Sequence, residues 1–132
     1  MRIFVADAGT WTELTDGGEP TVRISAPDLA QARRLRTRIR SEDAGASVVL
    51  DVTVAVAGDY RSARRGLELA GSDATVRYVG TVDGLAGLIA DIESAGVADG
   101  VTLLPATPGS DPRALAADVL RRLEARSQAR AS

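Results

Sequence analysis

One run limits what this chain can fold into more than any other: Ser47–Ala57, SVVLDVTVAVA. Alternate residues of a strand point to opposite sides. Val48, Leu50, Val52, Val54 and Val56 form one side; Val49, Asp51, Thr53, Ala55 and Ala57 form the other. The first side is wholly aliphatic and belongs under helices. The second is apolar enough to be covered as well, yet it carries a carboxylate, Asp51, mid-strand. Strands buried on both faces belong to parallel sheets whose connections are helical.

The flanking segments fit that frame. Arg2–Ala6 is a short apolar strand, followed by a polar, irregular stretch from Asp7 to Pro20 that holds Trp11. Thr21–Ser25 reads as a second strand. Pro27 and Asp28 then open an amphipathic helix to about Arg40, with Leu29, Ala32, Leu35 and Ile39 on its apolar stripe. Gly58-Asp59 starts a helix reaching about Ala70, and Thr75–Val79 is a short extended piece. Thr81 is the expected N-cap of a helix over Val82–Ala95, stopped by Gly96. Gly84 and Gly87 each cost that helix about 1 kcal/mol relative to Ala, so a close contact is expected there. Gly100–Leu104 is the last strand, and Asp111-Pro112 begins a final helix that frays near Arg126. Strands alternating with helices predict an α/β fold: a mainly parallel sheet of three to four strands with crossover helices. The expected organisation is a single domain over residues 1–126 and a polar tail over 127–132.

Composition narrows the chemistry. The 132 residues contain no Cys, His, Lys or Asn, and all sixteen positive charges are Arg, against eighteen Asp and Glu. Disulfides, thiolate nucleophiles, Schiff-base lysines and histidine general bases are therefore excluded. Arg-only usage with abundant Ala, Gly and Val fits the codon bias of a GC-rich, bacterial type of genome. A net charge of −2 gives no electrostatic footprint for nucleic acid. No apolar run approaches the ~18 residues of a membrane span, so a cytoplasmic protein is expected.

Three stretches, in order, resemble the C-terminal part of the luciferase-like monooxygenase superfamily. The first is Pro27-Asp28-Leu29-Ala30-Gln31-Ala32-Arg33, leading into the Arg-rich helix and the strand after it. The second is Val79-Gly80-Thr81-Val82-Asp83-Gly84-Leu85-Ala86, with Val82 where the family usually has Pro. The third is Ala98-Asp99-Gly100-Val101-Thr102-Leu103-Leu104-Pro105, followed by a helix ending Val119-Leu120-Arg121-Arg122-Leu123. The resemblance covers about residues 21–125. It implies a fold equivalent to half of a (β/α)8 barrel, since a whole barrel takes ~250 residues. It also implies descent from flavin- or deazaflavin-dependent oxidoreductases, with FMN or coenzyme F420 as the cofactor class. The family's Gly/Ser-rich segment that helps to hold the flavin phosphate has no match between Asp7 and Pro20.

Candidate sites follow from both lines. Thr107, Gly109 and Ser110, after the last strand, are candidates for offering hydroxyls and amides to a cofactor anion at a helix N-terminus, the alternative being an ordinary capping loop. Asp7, Ser25 and Asp59 would share that rim. Asp51 must be paired or neutral, with Arg23 or Arg2 as the expected partner. Trp11 either stacks on an aromatic ligand, or plugs the open end of the layer or meets a partner. The Arg33–Arg40 cluster reads as a solvated helix face with acidic partners rather than a phosphate grip. No catalytic residue or metal site is assigned. The functional expectation is a truncated luciferase-like protein, not catalytic alone or needing a partner to complete a flavin site. The alternative is a non-enzymatic interaction or small-ligand-binding module. Unpaired strand edges imply a homo-oligomer or a complementary barrel-half chain, with neither nucleic acid nor membrane as a partner.

Overall fold

A computed structural model describes residues 1–7, 9–56, 75–106 and 111–131. Its elements run β1 (Arg2–Asp7), β2 (Thr10–Glu13), β3 (Thr21–Ile24), α1 (Leu29–Glu42), β4 (Ser47–Val56), β5 (Val76–Gly80), α2 (Val82–Ser94), β6 (Gly100–Pro105) and α3 (Pro112–Ala131). The long apolar run is indeed the centre. All of β4 up to Ala55 is buried, and it pairs in parallel with β3, β5 and β6.

The sheet differs from the expected three to four mainly parallel strands resembling half a (β/α)8 barrel. It has six strands among the described residues and is mixed, in the order β2-β1-β6-β4-β3 with β5 also on β4. Two physical reasons account for the difference. Gly9 takes a left-handed φ of +81°, which lets the chain reverse and lay Thr10–Glu13 antiparallel on β1. The stretch read as irregular is therefore an edge strand. In addition, β3 pairs with β4 over Ser47–Leu50 while β5 pairs over Val52–Val56. The strands before and after β4 thus share one of its edges, whereas in a barrel they would lie on opposite sides.

Alternation sorts the sheet into two faces. Ile3, Val5, Leu50, Val52, Val54, Val76, Val101 and Leu103 all lie in one core. Into it project Ala32 of α1, Leu85, Ile89 and Ile92 of α2, and Ala116 and Val119 of α3. All three described helices therefore cover the same face. A fully buried aliphatic side chain of this kind stabilises the fold by about 1.5–3 kcal/mol.

Local chemistry sets the helix ends. The Asp28 carboxylate accepts the Gln31 amide at 2.8 Å to start α1, and the Thr81 hydroxyl accepts the Gly84 amide at 3.2 Å to start α2. Asp111 accepts the amides of Arg113 and Ala114 at 3.1 and 3.2 Å, capping α3. Gly96 ends α2 with a φ of +68°. A Cβ at Gly84 would run into the Tyr78 hydroxyl, which donates to the Thr81 carbonyl at 2.8 Å, so Tyr78 would have to move. No described helix is long and apolar enough to cross a membrane.

Candidate functional site on the polar face

The face opposite the described helices holds most of the sheet's polar and aromatic side chains. Register places Phe4, Thr102 and Asp51 in one row across β1, β6 and β4. Glu13 of β2 stands opposite Phe4, and Trp11 opposite Ala6. Thr102 and Asp51 are buried in the middle of the sheet, and each is satisfied from an outer strand. The Trp11 indole N–H donates to Thr102 Oγ1 at 2.9 Å. Arg23 Nε donates to Asp51 Oδ1 at 2.8 Å, and the Ser25 hydroxyl donates to Oδ2 at 3.1 Å.

These reaches roof the face with a run of cations and rings. The Phe4 and Trp11 rings stack with centroids 4.5 Å apart and planes 10° apart. The Arg2 guanidinium carbon stands 5.4 Å from the Phe4 centroid, and that of Arg23 stands 5.6 Å from the Trp11 centroid. Trp11 and Arg23 sit on the two outermost strands of the path, yet they meet over its middle.

The two arginines differ in how they are used. Arg2 is saturated: Nε and Nη2 grip Glu13 at 2.8 and 2.6 Å, Nη1 donates to the Glu19 carbonyl, and Nη2 also reaches the Gly17 carbonyl. Hydrogen bonding from Arg2, supported by the Thr15 hydroxyl and the Gly17 amide, lowers the Glu13 pKa from 4.5 to about 2. Among the described residues, Arg23 is bonded only through Nε. Among the described residues no acceptor bonds Nη1 or Nη2, and the side chain is 37 % exposed.

Asp51 thus takes Arg23, not Arg2, of its two candidate partners. Trp11 plugs the open face rather than lying in a loop. Ser25 serves Asp51. In the Arg-rich helix, Arg36 and Arg40 converge on Asp99 at 2.9 and 3.6 Å, while Arg33, Arg34 and Arg38 lie on the exposed side. The candidate cofactor residues Thr107, Gly109 and Ser110 lie outside the described residues, as does Asp59. At the carboxyl ends of β4 and β6, a cavity of about 240 Å³ is lined by Val54, Val56, Pro105, Asp111, Pro112 and Leu115. The one carboxylate among these lining residues is occupied in capping α3.

Sequence reasoning missed Thr102, Glu13 and Asp99 as organising groups. Thr102 carried a signal, since it is the one hydroxyl in an otherwise apolar strand. Among the described residues no three His, Cys, Asp or Glu side chains converge as a metal site would need. No family model matches this chain, and no curated protein matches it.

Proposed function

We propose that this chain belongs to the luciferase-like, flavin-dependent oxidoreductase lineage and does not catalyse on its own, a flavin site being completed only with a partner chain. The reading is of a cytoplasmic protein, a homo-oligomer or half of a two-chain assembly, with FMN or coenzyme F420 as the cofactor class. Its lineage rests on the three ordered sequence stretches. The absence of autonomous catalysis rests on one observation: the carboxylates of the polar face are already committed. Asp51 is held by Arg23 and Ser25, and Glu13 is kept ionised by Arg2. With its pKa lowered to about 2, Glu13 does not exchange a proton near the working pH, as a general acid or base must.

The motif residues themselves do structural work, which suits descent without retained chemistry. Asp28 and Thr81 cap helices. Asp99 binds Arg36 and the Val48 amide, and Gly100 lets β6 approach β1. The test is the absorbance and turnover of purified protein supplied with FMN or the deazaflavin and a reductant. Colourless protein without flavin-driven turnover is expected. A stoichiometrically bound flavin with turnover by the isolated chain would overturn the reading.

A second reading, a small-ligand-binding module, is favoured by one specific feature. Arg23 keeps its two terminal nitrogens unspent, among the described residues, beside the Trp11 ring.

A further inference from the structure

Arg23 is anchored differently from Arg2 and Arg36. Arg2 uses all three nitrogens on Glu13, Glu19 and Gly17. Arg36 uses all three on Asp99 and Gly96. Arg23 is fixed by a single bond, Nε to Asp51 Oδ1 at 2.8 Å, and by the Trp11 ring beside it. Asp51 is itself held: it is buried in the central strand, and its second oxygen accepts the Ser25 hydroxyl. The guanidinium is therefore oriented before any ligand arrives, and its outer edge presents N–H donors with no acceptor among the described residues. A planar fork of that kind matches the two oxygens of a carboxylate or a phosphate. Orientation in advance removes much of the entropy cost of binding.

We infer that Arg23, held by Asp51 beside Trp11, is the recognition group of a small-anion site on the polar face, taking a carboxylate or a phosphate group. The inference rests on the binding-module reading and is independent of the flavin lineage. Nε neutralises Asp51, while Nη1 and Nη2 take the ligand's oxygens. With the side chain 37 % exposed, the site is open to solvent.

The chain has one tryptophan, so its emission reports on this place alone. The experiment titrates the purified chain with benzoate, with benzamide as the uncharged isostere, and with inorganic phosphate. Saturable change in Trp11 emission is expected with benzoate or phosphate and not with benzamide; which anion responds separates a carboxylate ligand from a phosphate one. Arg23→Met should abolish the response. Arg23→Lys keeps a cation for Asp51 and so guards against loss of folding, which far-UV circular dichroism checks. It should weaken binding about tenfold, because the fork is lost. An equal response to benzamide would overturn the anion site while leaving a binding module standing. An unchanged response in folded Arg23→Lys, or no response to either anion, would overturn the inference outright.

Discussion

Asp99 and Glu13 hold separate elements together through arginine. Asp99 opens β6, and its carboxylate takes Arg36 from α1 at 2.9 Å and the Val48 amide of β4 at 2.9 Å. Its backbone also bonds to Val48 and Arg2. Burial pushes this carboxyl up, but the hydrogen bonds from Arg36 and Val48 outweigh it and hold the pKa below its ordinary value. Glu13 ties the edge strand β2 to Arg2 in the same way. A carboxylate whose folded pKa is depressed stabilises the fold fully above its unfolded pKa, and that contribution is lost as pH falls through the folded one. For Glu13 the window runs from 4.5 down to about 2. Urea unfolding across that window should show stability declining with acid more steeply in the parent chain than in Glu13→Gln. Equal slopes would contradict the assigned pair.

The elements show which parts of the fold were legible. Helices α2 and α3 could be read because Thr81 and Asp111 cap them locally, and a cap needs no knowledge of the rest of the chain; α1 could be read from its apolar stripe, although Asp28 is its cap rather than part of a first turn begun by Pro27. Strand β4 could be read because both its faces are apolar. The edge strand β2 could not. Thr10–Glu13 is short and polar, and it is a strand only because Gly9 turns it onto β1 and Trp11 finds Thr102, ninety-one residues away in sequence. The pairing of Asp51 with an arginine was foreseeable from the cost of a buried charge. That the arginine would be Arg23 depended on the register of β3 against β4. Register also explains Gly100, where an added Cβ would stand 2.7 Å from the Arg2 carbonyl oxygen. Gly100→Ala should therefore separate β6 from β1 and cost about 1–3 kcal/mol, the usual penalty of overpacking. Chemical denaturation measures this directly, and a change near zero would show that the two strands have room to spare between them.

At the scale of the whole molecule, the described sheet is open. It ends at β2 on one side and at β3 and β5 on the other. Unpaired strand edges present rows of free amides and carbonyls, and they invite another chain unless something blocks them. The described helices cover one face, while the other is roofed by Arg2, Phe4, Trp11 and Arg23. The carboxylates of the polar face are spent on holding the sheet, and among the described residues no further strand pairs with its outer edges. Native mass spectrometry of freshly purified protein tests assembly and cofactor together. A species of more than one chain with no retained flavin mass is expected. A single chain carrying one flavin would contradict the proposed dependence.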